Sequence, residues 1–243
     1  MLKPSYRSGD RAPSSKQRGR ILAAGFLAAA LVFSVVSLLN GQDDDESRPV
    51  SRSPLSEALA KGSDRPQGCR TDDADRAVPK AAPADLKWQE LGGSRVPTSA
   101  SAGPTRSAGP VRWCFARTPM GAVLAAHVIP AQMTGPDWRA VVEEQVQPGL
   151  GRDLFLSQRS SIDDSQLTSR QTGSFAGFAV RDYDDKSATV NVLIKSPQGA
   201  FVSTMVQLRW SSGDWKVEPG SDGGLHSKVT TAGGTDGFVQ WEA

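Results

Sequence analysis

Hydrophobic residues fall into one long run near the start of the chain and into short periodic segments in its second half. The long run, Ile21 to Leu39, contains no charged residue, Pro, Asn or Gln. At about 1.5 Å rise per residue, a helix of this length spans a hydrocarbon core of roughly 30 Å. Because backbone polar groups at that depth must be bonded within the segment, the pattern predicts a transmembrane helix over residues 21–39.

A helical period begins after Thr118-Pro119, where Thr suits the cap and Pro the first helical position. This first helix is predicted to end at Pro130, and a second begins at Gly135-Pro136. The inner face of the second is predicted to comprise Trp138, Val141, Val142, Gln145 and Val146, with Arg139, Glu143 and Glu144 facing outward. A third short helix would contain Leu150, Leu154 and Phe155.

The period then changes to that of strands. Four are predicted, at Phe175 to Tyr183, Ser187 to Lys195, Ala200 to Trp210 and Trp215 to Glu218. The short turns between them favour an antiparallel meander over crossover connections. The sequence therefore predicts an α+β fold, in which two or three helices pack on a curved antiparallel sheet.

These patterns divide the chain into five segments. Residues 1–20 form a basic cytoplasmic tail, residues 21–39 the transmembrane helix, and residues 40–84 a disordered extracytoplasmic tether. The tether is polar and interrupted by Pro, which disfavours both helix and strand. Residues 85–218 form the α+β domain, and residues 219–243 a Gly-rich tail whose apolar end, Phe238 to Trp241, docks back on it.

Charge sets the predicted orientation. The formal net charge of +2 conceals a basic segment before the apolar run, opposed only by Asp10, and an acidic run, Asp43 to Glu46, after it. Short basic flanks stay in the cytoplasm, which predicts a single-pass protein of the cell membrane with an extracytoplasmic C-terminal domain. The alternative is a signal peptide cleaved after Gly41, although no Ala-x-Ala-like pair precedes that position.

The sequence contains two cysteines, Cys69 in the tether and Cys114 at the start of the compact region. On the oxidising side of a membrane such a pair favours a disulfide, and two unpaired thiols are the alternative. His127 and His226 stand too far apart, and too far from the cysteines, to give metal-ligand spacing. The sequence predicts neither a metal nor a cofactor.

His127 and Tyr183 are the candidate pocket residues. If the helices and the sheet enclose a pocket, His127 could act as a general base there, with Asp137, Asp182 or Tyr183 as its partner. His127 lies, however, on an otherwise apolar helical stripe, which favours a hydrogen-bonded core histidine. The sequence therefore predicts no catalytic residue.

Several motifs resemble those of known families: Trp88, Val96-Pro97, Gly103-Pro104, Phe115 to Ala126, the hairpin Leu208 to Val217, and Gly237 to Trp241. The hairpin after the helices resembles nuclear-transport-factor-2-like cones. The whole arrangement resembles uncharacterised single-pass membrane proteins of actinobacterial conjugative and integrative elements. Its layout is similar to that of bitopic, TcpC-like scaffold subunits of type IV secretion machines.

That resemblance implies a non-enzymatic scaffold or assembly subunit of a conjugation or secretion apparatus. Its partners would be the lipid bilayer, other subunits of the complex and further copies of this chain. Nucleic acid is not favoured, because the basic tail lacks the aromatic side chains on which bases stack. The alternative is an extracytoplasmic small-ligand binder or hydro-lyase-type enzyme that uses the pocket of the cone.

Overall fold

The computed structural model describes residues 65–91, 93–164 and 173–241, which form an α+β fold. The predicted cytoplasmic tail, the transmembrane helix and residues 40–64 of the tether lie outside these residues. Over the described ranges, none of the helices is both long enough and apolar enough to cross a membrane.

Three α-helices and one short 3₁₀ helix, Gln132–Thr134, are defined within the described residues, and the α-helices are labelled in chain order. They are α1 (Pro119–Ala131), α2 (Trp138–Gln145) and α3 (Leu150–Ser160). Helix α1 begins as predicted, with Thr118 as its cap and the Gly121 N–H donating to Thr118 Oγ1 at 3.1 Å. It continues one residue past Pro130, whereas the sequence predicted an end at this proline. Proline has no N–H to donate to the carbonyl four residues earlier, and the loss of one such bond is tolerated in the last turn of a helix.

Ten strands accompany the helices in these residues. They are β1 (Leu86–Leu91), β2 (Ser94–Ser99), β3 (Arg106–Ala108), β4 (Val111–Trp113), β5 (Ser174–Tyr183), β6 (Ser187–Lys195), β7 (Phe201–Ser211), β8 (Asp214–Val217), β9 (Thr230–Ala232) and β10 (Val239–Gln240). Strands β5 to β8 match the predicted meander to within one residue at each end.

The main sheet is antiparallel, in the order β10-β5-β6-β7-β8, and β9 pairs with the start of β7. Strands β1 and β2 form one separate hairpin, and β3 and β4 form another. Both hairpins precede α1 in the chain. The domain therefore begins with two small hairpins, continues with helices and ends with the sheet.

Helix α1 is the centre of the core. It is apolar around its whole circumference and is buried from Gly121 to Ile129, because strands β2, β5, β6, β7 and β8 all pack against it. The C-terminal end closes the core from another side, where β10 pairs with β5 and Trp241 is only 7% exposed.

One side chain on α2 lies opposite to the prediction. Glu144 was predicted to face outward, but it is 6% exposed, whereas Arg139 and Glu143 are exposed as expected. Glu144 is buried because the edge strand β8 lies beside the end of α2, where Val146 forms a parallel bridge to Val217. The side of α2 that the sequence pattern assigns to solvent is therefore covered by a strand.

The predicted tether also differs over its last part. Residues 65–84 were predicted to be disordered, yet they lie against the domain in an extended path. Cys69 is bonded to Cys114, and the Asp72 N–H donates to the Ser101 carbonyl at 3.1 Å. The disulfide and this hydrogen bond hold the segment against the domain, although its composition alone predicts disorder.

Candidate functional site

Two of the motifs noted in the sequence, the hairpin β7-β8 and the segment that begins at Phe115, contact each other just before α1. The hairpin has a two-residue turn, since Ser211 pairs with Asp214 and both Ser212 (φ 54) and Gly213 (φ 77) have positive φ. This is the geometry of a type I′ turn, which suits the twist of the flanking strands. It places Asp214 as the first residue of β8, pointing into the protein.

The Asp214 carboxylate binds three backbone N–H groups. It accepts from Cys114 at 2.7 Å, from Phe115 at 3.0 Å and from Trp215 at 2.9 Å. Burial raises the pKa of Asp214 to about 6, although each of these N–H groups acts to lower it. The side chain thus satisfies two buried donors at a point, residues 114–115, where no strand partner does so.

The same hairpin supports the start of α1. The Trp215 indole N–H donates to the Ala116 carbonyl at 2.9 Å. Gly121 in the first turn of α1 lies so close to Ala116 that a Cβ would stand 2.0 Å from its carbonyl oxygen. The start of α1, the hairpin and the connecting backbone are therefore in direct contact at Ala116.

The ordered end of the tether joins the same junction. The disulfide Cys69–Cys114 connects it covalently, and Arg65 Nη2 donates to the Phe115 carbonyl at 2.6 Å. Arg65 Nη1 also contacts the Asp73 carboxylate at 2.5 Å. Residues 114–115 are thus held from one side by the hairpin and from the other by the tether. We call this arrangement of Arg65, Cys69, Cys114, Phe115 and Asp214 the junction.

Tyr183 lies at the edge of the junction as a structural hydrogen-bonding residue. Its hydroxyl donates to the Arg117 carbonyl at 3.1 Å and accepts from Arg76 Nη1 at 3.2 Å. Burial raises the pKa of the Tyr183 phenol, against the lowering effect of Arg76. Arg76 also forms an ion pair with Asp185. Tyr183 therefore fixes the tether to the end of β5.

His127 lies in a closed interior. Its Nδ1 donates to the Val123 carbonyl at 2.7 Å, and its Nε2 accepts from the Trp241 indole N–H at 3.2 Å. A carbonyl only accepts, so these partners define the neutral tautomer with the proton on Nδ1. Burial lowers the pKa of His127 to about 4. The ring is also in edge contact with Phe175 at 4.8 Å between centroids.

The two sequence candidates are not brought together. His127 contacts Phe175 near the start of β5, whereas Tyr183 is the last residue of that strand. Neither lines the cavity described next. The sequence analysis missed Asp214 and Arg65, and the Gly-Asp dipeptide in the hairpin was the signal for the first of them. Within the described residues, no group of His, Cys, Asp or Glu side chains is placed to hold a metal.

A cavity of about 370 Å³ opens between the ordered tether and the domain. We call residues 72–84, which form its outer wall, the strap. The domain side of the cavity is lined by Ser101, Ala102, Thr118 and Met120. The strap contributes mostly Ala and Pro, with Asp72, Asp75 and Lys80 as its charged groups. A small group could enter this cavity from solvent.

The junction and the cavity both lie within a stretch that matches a known family model. The model is described as a domain of unknown function, DUF8175, and it matches residues 49–240. This chain belongs to that family. Comparison with curated proteins and with solved structures gives no match. The DUF8175 match contains the strap, both cysteines, His127 and Asp214, and it ends one residue before Trp241.

Two buried groups of the DUF8175 domain should affect its stability in opposite directions between pH 4 and pH 6. For His127 the folded pKa of about 4 lies below the ordinary 6.5, so the unfolded chain binds more protons and acidification destabilises. For Asp214 the folded pKa of about 6 lies above 3.8, so the folded chain binds more protons and acidification stabilises.

The two effects should largely cancel in the unsubstituted protein and separate in variants. Asp214→Asn is expected to lose about 2 kcal/mol of unfolding free energy on acidification from pH 6 to pH 4. His127→Phe is expected to gain a similar amount over the same interval. Denaturant titrations at several pH values measure both slopes. Slopes of the same sign in the two variants would contradict the burial of at least one of these groups.

Proposed function

We propose that this chain is a membrane-anchored extracytoplasmic subunit, without enzymatic activity, that serves as a scaffold or assembly part of a conjugation or secretion apparatus. The N-terminal tail would lie in the cytoplasm and residues 21–39 would span the membrane. The α+β domain, a nuclear-transport-factor-2-like cone in this proposal, would be displayed outside the cell. Its partners would be the bilayer, other subunits and further copies of the chain.

The observation that carries this proposal is the Cys69–Cys114 disulfide. Disulfides form and persist in oxidising compartments and are rare in the cytoplasm. Both cysteines of the sequence are used in this bond, and it lies beyond the predicted span on the side that the charge asymmetry assigns to the exterior. Covalent chemistry and the distribution of charge therefore support the same orientation.

The contacts of the titratable groups support a structural role. Asp214 is bonded to backbone N–H groups, and His127 is bonded through both of its ring nitrogens. A general base needs a free lone pair within reach of a substrate, and the Nε2 lone pair of His127 accepts from Trp241 instead. The alternative of a hydro-lyase-type enzyme using His127 therefore receives no support from these contacts.

Protease treatment of intact cells tests the topology. We expect cleavage between residues 40 and 64 to release a fragment that contains the whole domain and both cysteines, while an epitope on residues 1–20 stays protected until the cells are permeabilised. The same epitope in permeabilised cells is the control for protease activity. A domain that stays protected in intact cells would refute the proposal, as would a mature protein found free in the medium and trimmed after Gly41.

A further inference from the structure

The two sulfurs of the junction differ in their access to solvent. Cys114 is 0% exposed and lies between the hairpin β7-β8 and the ordered end of the tether. Cys69 is half-buried and stands between two exposed residues, Gly68 and Arg70. Thiol–disulfide exchange requires that the attacking sulfur reach its target directly. An external reagent therefore reaches Cys69 more readily than Cys114.

The two sulfurs also differ in the charge beside them. Arg65 Nη2 lies 3.0 Å from Cys69 Sγ. A cation at this distance favours the thiolate form of a reduced cysteine, and the thiolate is the nucleophile. The Asp214 carboxylate accepts the Cys114 N–H at 2.7 Å, and this negative charge together with burial favours the neutral thiol at Cys114. When the bond is reduced, Cys69 is therefore the sulfur that ionises first.

Arg65 is held beside Cys69 by contacts that do not involve the disulfide. Its Nη2 also donates to the Phe115 carbonyl at 2.6 Å. The Cys69 N–H donates to the Pro66 carbonyl at 3.1 Å, and this turn keeps residues 65 and 69 together. Asp73 offsets part of the guanidinium charge, but it bonds to the other terminal nitrogen, Nη1. The cation thus stays next to Cys69 when the bond between the sulfurs is broken.

We propose that Cys69 is a reactive thiol in the reduced domain, at which an external disulfide forms a mixed disulfide that Cys114 then resolves. The Cys69 thiolate attacks one sulfur of the external disulfide, whose S–S bond breaks and releases the other sulfur as a thiolate. Cys114 loses its proton to water, attacks Cys69 Sγ and expels the second external thiolate. The two cysteines are oxidised by two electrons, and the external disulfide is reduced by two. This site goes beyond the scaffold role, and its chemistry does not depend on the membrane topology.

The reduced full-length chain, kept in detergent micelles after removal of the reductant, provides the first test. Substoichiometric iodoacetamide followed by peptide mass mapping shows which cysteine reacts first. We expect Cys69 to react about tenfold faster than Cys114 or more, at a rate that rises with pH as its thiolate forms. Tryptophan fluorescence checks that the domain stays folded on reduction. Equal labelling of the two cysteines, faster labelling of Cys114, or unfolding of the reduced domain would overturn the proposal.

The second test concerns Arg65 as the positioning residue. Arg65→Gln removes the charge beside Cys69 and should slow its labelling at pH 7 by about threefold to fivefold, the scale of a partly exposed ion pair. Arg65→Lys keeps the charge and should restore most of the rate. Arg70→Gln is the matched control, because it removes an equal charge from the exposed residue next to Cys69. The proposal fails if Arg65→Gln slows labelling no more than Arg70→Gln does, or if Arg65→Lys does not restore the rate.

Two external disulfides distinguish the sources of the oxidant. Glutathione disulfide is the small probe, and an oxidised thioredoxin-fold protein is the protein probe. In Cys114→Ser, which lacks the resolving thiol, a mixed disulfide should accumulate on Cys69, and the faster probe identifies the class of oxidant. In the unsubstituted chain the Cys69–Cys114 bond should form with release of the bound probe. If neither probe forms a mixed disulfide on Cys69, or if Cys114 in Cys69→Ser forms one equally fast, the proposal is wrong.

Discussion

Asp214→Ala is expected to lower the free energy of unfolding at pH 7 by about 4 kcal/mol. The substitution removes the acceptor of the Cys114, Phe115 and Trp215 N–H groups. Asp214 is only 4% exposed, so water does not readily take the place of the lost carboxylate as a hydrogen-bond acceptor. Each buried donor left without a partner costs about 1–3 kcal/mol, and removal of the desolvation cost of the buried carboxylate offsets only part of that sum. Urea titration of the purified protein measures the change.

Asp214→Asn serves as the matched variant for this prediction. Its amide oxygen can still accept from Phe115 and Trp215, which both bond to Oδ1 of the aspartate, while its NH₂ group would face the Cys114 N–H. We therefore expect Asp214→Asn to be destabilised, but less than Asp214→Ala. If the alanine variant lay within about 1 kcal/mol of the unsubstituted protein, the junction would not depend on this carboxylate.

Loss of the Cys69–Cys114 disulfide is expected to cost about 3–4 kcal/mol in the loop-entropy model. The bond closes a loop with a sequence separation of 45 and fixes the ordered end of the tether to residue 114. In a domain of this size, the loss corresponds to a fall in melting temperature of about 2–4 °C per kcal/mol. Cys69→Ser is the cleaner single variant, because Cys69 is half-buried while Cys114 is fully buried with φ 70.

The control for the disulfide is chemical reduction. A reductant should lower the melting temperature of the unsubstituted protein to that of the double variant Cys69→Ser/Cys114→Ser, and it should leave the double variant unchanged. Limited proteolysis should then cut within residues 65–84, which the disulfide holds against the domain. A double variant that melts with the unsubstituted protein and keeps this segment protected would show that the Arg65 and Arg76 contacts suffice.

The sequence predicted those elements whose signals are local. Apolar and polar residues alternate along β6 and β7 because one face of each strand is buried, and this pattern predicted their bounds to within one residue. The start of α1 was found because Thr followed by Pro, ahead of a helical period, is a typical signal for a cap and a first helical residue. The α+β class and the order of β5 to β8 follow from such local signals together with the short turns, whereas the places of β9 and β10 in the sheet were not predicted.

What the sequence did not predict depends on contacts between distant segments. The role of Asp214 requires that β8 lie beside residues 114–115, about a hundred positions earlier in the chain. The burial of Glu144 requires that β8 also cover α2, and the order of residues 65–84 requires the bonds of Arg65 and Cys69. No periodicity within a segment reports what packs against it from elsewhere.

The most direct test of the account is the redox state of Cys69 and Cys114 in living cells. Acid quenching followed by a maleimide reagent that adds mass to each free thiol separates the outcomes on a gel. If the domain is displayed outside the cell and closed by this bond, the protein should take up no reagent until it is reduced, and two equivalents afterwards. Two reactive thiols in the unreduced protein would contradict both the oxidising location and the junction.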